Sequence, residues 1–319
     1  MALGPSGVWD QISAIVNDYF MPDFPDLVFN KHPLLKMLWA KGTKPQGGNQ
    51  IRQTFMYQFT KDGAYSDYDQ LNSSGENQFD AAKFAWKKYY QHTAVSVPEI
   101  NMCSGPEEVF GYLKKKMAGN AAGLRDSLAT DMYVYTYNDD SIQINSLPNL
   151  LGDGTWPSTG YLTAGGINKS TYSWWRGFQR TETGTLGSRD TMTDLWFDIA
   201  EGTDVPDLIV SGYAPMKAHQ AEVTITNAQE RFTNTNQLLS GFTTITFQGC
   251  PWVADRHCTT TELYMLNTNT LDFVTHAKEN ARWDGWRTPS RQNVRVGYVF
   301  WMGNLCVSDP NMNGIIHKA

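Results

Sequence analysis

Apolar residues recur every three or four positions from Phe110 through Leu113, Met117, Ala121, Leu124 and Leu128 to Met132. That spacing puts them on one face of a helix and predicts a helix over about 106–133. Pro106 suits its first turn, and Glu107 and Glu108 suit its positive end. Such a helix is roughly 40 Å long at about 1.5 Å per residue, well beyond the usual length. Gly111, Gly119 and Gly123 lower its intrinsic stability and are expected to let another element come close.

Elsewhere the pattern shortens. IRQTFMYQFT (51–60) reads as a strand, and AKFAWKKYYQHTAVSV (82–97) reads as a second, longer one with aromatic residues on both faces. The stretch between them is polar and rich in turn formers, so the pair predicts a ribbon that projects from the body. Upstream, the first 40 residues mix a weakly amphipathic stretch (Val8, Ile12, Ile15, Val16) with a segment that three prolines keep from being one helix. They read as an arm that lies across another surface. Downstream, RDTMTDLWFDIAEG predicts a short helix with Met192, Leu195, Trp196 and Ile199 inward. PDLIVSGYAPMKAHQ predicts a buried strand at 208–210 and then a helix. FTTITFQGCPWV reads as strand and turn, TELYMLNTNTLDFVTH as a strand pair around a polar turn, and VRVGYVFWMGNLCVS as a long closing strand. The fold class is therefore α+β.

Composition narrows the function. Only 18% of the 319 residues are charged while 13% are aromatic, including 11 Trp and 15 Tyr. A surface poor in Lys and Glu and rich in neutral polar and aromatic groups suits burial against other proteins. The net charge of −6 and the absence of a basic block argue against a protein that lives by tight phosphate contact. The start, MALGPSGVWD, has no basic and apolar signal regions, and no apolar run is long enough to span a membrane. Four cysteines, Cys103, Cys250, Cys258 and Cys306, are too few for a disulfide scaffold, so reduced thiols are expected.

Candidate chemistry is sparse. Cys250, His257 and Cys258 have a C-x6-H-C spacing, unlike the short Cys pairs that open zinc sites, so no metal site is expected. Neighbouring strand residues point to opposite faces, so His257 is badly placed to activate Cys258. Asp139 and Asp140 read as a solvated loop pair. No nucleophile elbow, zincin or phosphate-loop motif is present. Neither a catalytic site nor a cofactor is expected. One cluster stands out: GGINKSTYSWWRG, with Lys169, Tyr172, Trp174, Trp175 and Arg176. Tyr, Trp and Arg are enriched where proteins grip one another, and the cations are too few for a base-stacking groove. The cluster reads either as packing within its own domain or at a subunit contact, or as ordinary core aromatics of one chain.

The order of these elements resembles the major capsid proteins of tailed bacteriophages, whose shell fold is shared with the encapsulins. The resemblance covers nearly the whole chain. It rests on arm, ribbon, spine helix and mixed centre, and on NLLGDGT (149–155), GGINKSTYSWWRG, TDLWFDIAEG, PDLIVSGYAPMKAHQ and FQGCPWVADRHC with its Gly249, Pro251, Val253 and Asp255. It implies an N-terminal arm over 1–40, an extended two-stranded loop over 41–98 and a peripheral domain with its spine helix over 99–139. A mostly axial domain would follow over 140–290, with a return strand to the peripheral domain over 291–319. It also implies self-assembly through hexamers and pentamers into an icosahedral shell around double-stranded DNA, held non-specifically. The partners would be a portal and possible scaffolding or decoration proteins, with no membrane. The chain would be a structural virion protein, not an enzyme, assembled in the cytoplasm of a bacterial host. An encapsulin-type compartment and a carbohydrate-binding or tail-associated β-rich protein are the alternatives, the last being expected to lack the spine helix.

Overall fold

The structure, a computed structural model, describes residues 32–60, 62–71, 75–102, 106–156, 162–184, 186–226 and 244–319. Most of the expected N-terminal arm and part of the ribbon tip lie outside these residues, as does Cys103.

Helix α1 (Pro33–Lys41) starts at a proline, which suits the first turn, and buries Leu34, Leu35, Met37 and Leu38. Strands β1 (Ile51–Met56) and β2 (Phe79–Phe84) pair antiparallel, from Ile51 opposite Phe84 to Met56 opposite Phe79. They form the expected ribbon. The second long strand does not run through, however. It breaks at Ala85 and Trp86 before β3 (Lys87–Ser96), because the chain changes partner there: β2 pairs with β1, and β3 with a strand near the C-terminus. The break is held from both sides. Asn304 Nδ2 donates to the Ala85 carbonyl at 2.9 Å, and the Trp86 indole N–H donates to the Gly48 carbonyl at 2.9 Å.

After a short helix α2 (Val97–Asn101) comes α3 (Pro106–Asp131), 26 residues long. Its stripe of Leu113, Met117, Ala121, Leu124 and Leu128, with Met132 just beyond, is buried. The Phe110 side chain lies outside the described ones. The stripe packs on β3, where Asn120 Nδ2 bonds the Thr93 hydroxyl. Among the described residues the glycines serve no close approach: Gly111 and Gly119 face open space, and Gly123 meets only the Gln91 side chain at 3.5 Å.

Helix α4 (Leu147–Leu151), capped by Ser146, leads to the small strands β4 (Thr163–Ala164) and β5 (Ile167–Asn168), then β6 (Phe178–Glu182) and helix α5 (Arg189–Ile199). Met192, Leu195, Trp196 and Ile199 point inward from α5 as the pattern predicts. Strand β7 (Leu208–Ser211) is wholly buried and feeds α6 (Tyr213–Thr226). Strands β8 (Thr244–Phe247) and β9 (Cys250–Ala254) make a tight hairpin. Gln248 and Gly249 take φ of 50° and 82° in its turn, the positive values such two-residue turns require.

Strands β10 (Glu262–Leu266) and β11 (Leu271–Thr275) flank the polar turn but do not pair, contrary to the expectation of a strand pair. β10 lies in one sheet and β11 in another. Distant groups capture the turn between them. Asp207 accepts the Thr268 N–H at 2.8 Å, and Asn313 Oδ1 accepts the Asn267 N–H at 2.9 Å. Strand β12 (Arg282–Arg287), the long β13 (Val294–Val307) and β14 (Gly314–Lys318) complete the fold.

Two sheets result. The six-stranded one runs β6-β14-β10-β7-β9-β8 and mixes parallel and antiparallel pairs. The four-stranded one is built on β13, which pairs antiparallel with β3, β11 and β12. Side-chain alternation buries both faces of the larger sheet. Ile209, Leu263 and Met265 join Trp252, Leu195 and Ile316 in one core beneath α5. Leu208, Val210, Tyr264 and Leu266 face the larger core shared with α1, α3 and β13.

Candidate functional site

Among the described residues, the ribbon is the stretch richest in exposed large apolar side chains. Large apolar residues are exposed along it: Met56, Tyr57, Phe59, Tyr65, Tyr68, Leu71 and Phe79, with Tyr68 fully accessible. Seven such residues in one stretch of chain differ from the singly scattered apolar exposure that any surface carries.

Its base sits on GGINKSTYSWWRG. Gly165 and Gly166, at φ of 61° and 79°, turn β4 into β5. The turn touches the ribbon directly: the Lys83 N–H donates to the Gly165 carbonyl at 2.9 Å. A Cβ on Gly165 would come 2.7 Å from that of Ala82. Asn168 Oδ1 then accepts from the Ser170 N–H (2.9 Å) and hydroxyl (2.7 Å), bending the chain back. The bend delivers two tryptophans to β1. Trp175 is buried, donates its indole N–H to the Ala164 carbonyl at 2.8 Å and lies 4.6 Å from the Phe55 ring. Trp174 is half-buried and stacks on Tyr57 at 5.5 Å, with Tyr172 at 5.6 Å behind it. Tyr172 and Arg176 are exposed. The structure thus brings Trp174, Trp175 and Tyr172 together on the ribbon and leaves Arg176 at the surface.

Lys169 departs most from what its sequence context suggests. Its side chain is fully buried and its ammonium bonds the Asn149 carbonyl. Burial pushes its pKa down to about 7, against the opposing pull of Asp139 and Asp153. Asp139 is not a solvated loop acid. Burial raises its pKa, although it accepts from Asn145 Nδ2 at 2.7 Å and from the Gly166 N–H at 3.3 Å. Lys87, also buried, donates to the carbonyls of Asn138 (3.3 Å), Asp139 (2.7 Å) and Ser141. Two lysines and one aspartate therefore sit beneath the ribbon base. Sequence reasoning passed over Lys87 and Asn149. The one available signal was a lysine opening an otherwise aromatic strand.

The remaining candidates are structural groups. Cys250, Cys258 and Cys306 are buried thiols whose pKa burial raises. The His257 ring faces Asp126 (3.2 Å) and the Thr130 hydroxyl (3.0 Å), while Asp255 accepts its backbone N–H at 3.0 Å. Glu262, beneath the hydroxyls of Tyr135 and Tyr264, is pushed up to about 7 by burial. Among the described residues no three His, Cys, Asp or Glu side chains are grouped to hold a metal ion.

No family model matches the chain, and no curated protein matches it. Solved structures do. The chain is similar to the capsid asymmetric unit of cyanophage A-1(L), with a TM-score of 0.69, 14% identity, and 89% of this chain and 92% of that one covered. It is similar to the capsid of the native GTA particle at a TM-score of 0.58, with 12% identity over 89% and 90% of the two chains. It is also similar to the SrpI encapsulin complex from Synechococcus elongatus PCC 7942 at a TM-score of 0.57, with 10% identity over 88% and 86%. The chain has the shell fold common to phage capsids and encapsulins.

Two predictions follow from the ribbon seat. Trp175→Ala should cost about 3–5 kcal/mol in urea unfolding, as for other large buried aromatics; a loss below about 1 kcal/mol would contradict its place in the core. For Lys169, the unfolded side chain keeps its proton up to 10.5 and the folded one releases it near about 7. Between those values the unfolded state holds the extra proton, so Lys169 makes stability rise with pH by up to about 1.4 kcal/mol per unit. Lys169→Met should lack that rise when unfolding is compared at about pH 7.5 and about pH 9.5. Equal changes in both proteins would contradict it.

Proposed function

We propose that the chain is a major capsid protein that assembles with copies of itself into a closed icosahedral shell around double-stranded DNA. The observation that carries this reading is the exposed apolar ribbon on a chain of this fold. Tyr68, Phe59 and Leu71 are 100%, 81% and 68% accessible, a cost to a lone chain that neighbouring copies remove. Shells close when such head-to-tail contacts complete rings of five and six copies, and many weak contacts then add to a stable object. The work is assembly and containment, not catalysis. A portal and, where needed, scaffolding or decoration proteins are its partners, and the virion is its location after assembly in the host cytoplasm.

In this reading α3 with the four-stranded sheet is the peripheral domain, and the six-stranded sheet with α5 and α6 is the axial one. Strand β13 returns to the peripheral domain, while β14 belongs to the axial sheet. The 26-residue α3 speaks against the β-rich carbohydrate-binding alternative, which was expected to lack it. An encapsulin-type compartment shares the fold, and the particle's contents separate the two: nucleic acid for a capsid, a protein cargo for a compartment.

The test is a ribbon variant, Phe59→Ser with Tyr68→Ser and Leu71→Ser. Its melting temperature should match the wild type within a few degrees, since these side chains are largely exposed among the described residues. Sedimentation should show loss of large assemblies. Large assemblies that persist undiminished would contradict the reading.

A further inference from the structure

We propose that Glu262 is a proton-controlled pin between the end of α3 and the six-stranded sheet: with its proton the seam is closed, and loss of the proton loosens residues 133–137 from the sheet. Every group involved lies within one chain, so the pin exists whether or not copies assemble. Glu262 opens β10 and is fully buried. Its two carboxyl oxygens accept from the hydroxyls of Tyr135, just past α3, and of Tyr264 on β10. Tyr133 lies beside them, its ring 6.0 Å from that of Tyr264 and its hydroxyl donating to Asp255 at 3.3 Å. Tyr135 meets Trp156 edge-on at 5.6 Å, and Trp156 stacks on His317 at 4.5 Å. His317 stands opposite Glu262 in the β10–β14 register. A run of polar and aromatic groups thus joins the chain just past α3 to two strands of the six-stranded sheet.

Among the described residues this seam offers Glu262 no cation. The groups that face it are the phenols of Tyr133, Tyr135 and Tyr264 and the Cys258 thiol, which donates to the Glu262 carbonyl at 3.8 Å. Asp255, one tyrosine away, adds negative charge and has His32 at 3.7 Å. His257 turns to Asp126 at 3.2 Å, and Asp131 at the end of α3 accepts from Tyr89 at 2.6 Å. His317 is engaged with Trp156 and with the Thr181 hydroxyl at 3.2 Å; burial lowers its pKa, against the pull of the Lys318 carbonyl and Asp153. Lys318, next along β14, points to the other face of the sheet and is exposed. A buried carboxyl with hydroxyl partners and no opposite charge favours its neutral form. Burial accordingly raises the Glu262 pKa from 4.5 to about 7, against the opposing bond from Tyr264. Residues 133–137 are the side that gives. The Val134 N–H reaches the Asp131 carbonyl, and the Tyr137 N–H the Val134 carbonyl, only at 3.4 Å, long for such bonds. Strand β10, by contrast, is paired on both edges, with β7 and β14. Tyr135 is half-buried, so its departure lets water reach the carboxylate. The closed seam keeps the proton up to about 7 and the opened one releases it near 4.5. Opening is therefore favoured as pH rises between those values and levels off above them.

Hydrogen exchange on the full chain tests this, read at the amides of residues 133–137 and corrected for the intrinsic rate at each pH. Protection there should fall about 20-fold between about pH 5.5 and about pH 7.5. Glu262→Gln keeps the shape and cannot lose a proton, so its protection should be the same at both. Constant protection in the wild type, or an equal fall in Glu262→Gln, would overturn the proposal. Tyr135→Phe decides the matter independently, and does so even where the Gln variant fails to fold. It keeps the ring and removes one donor to the carboxylate, which disfavours the charged form further. Its protection should go on falling above about pH 7, where that of the wild type levels off. A Tyr135→Phe profile that superimposes on the wild type would overturn the assignment of the pin to Glu262 and Tyr135.

Discussion

The pairing of β3 with β13 is the constraint on which the rest of the structure depends. Residues 87–96 meet 294–303 in one unbroken antiparallel register, and the far edge of β13 takes β12 and β11 as well. Those hydrogen bonds close a loop that encloses most of the chain, so nothing local specifies them. Once made, they give α3 a sheet to lie on and fix where β2 must end. They also hold Asn304 where it can reach back to Ala85. The ribbon is a consequence: the chain that leaves β2 cannot continue as strand into β3 and stay paired with β1.

What the ribbon does next depends on how its base is held. Aromatic packing from Trp174 and Trp175 covers Phe55 and Tyr57 at the root, and among the described residues nothing comparable covers those farther out. The root rests on buried charge, with Lys169 and Lys87 near Asp139. Such groups are costly to bury and contribute little net stability beside an apolar core of the same shape. They do make wrong packings worse, because any slip strands an ammonium without its carbonyls. A base with one acceptable geometry, carrying an arm whose apolar side chains await cover, suits a part that must present the same surface in every copy.

Much of this was legible in the residues. The α3 stripe was, because one face of a long helix leaves a period that no local alternative reproduces. Helix α5 and the β8–β9 turn were legible for the same reason: their signals are short-range. The break at Ala85–Trp86 was not, since the residues on either side are equally good strand formers and only the exchange of partners ends the strand. Nor was the separation of β10 from β11. Asn-Thr-Asn-Thr looks like a hairpin turn, but Asp207 and Asn313 arrive from elsewhere and take its N–H groups. Lys169 followed the same logic. Beside Tyr172, Trp174 and Trp175 it has the look of a surface contact, and only the long-range return of α4 encloses it.

The most direct measurement is cryo-electron microscopy of the purified chain after assembly. The account predicts closed shells of five- and six-copy rings, in which Phe59, Tyr68 and Leu71 of each ribbon are covered by a neighbouring copy. A particle of a few copies, or a closed one whose ribbons stand free in solvent, would contradict it.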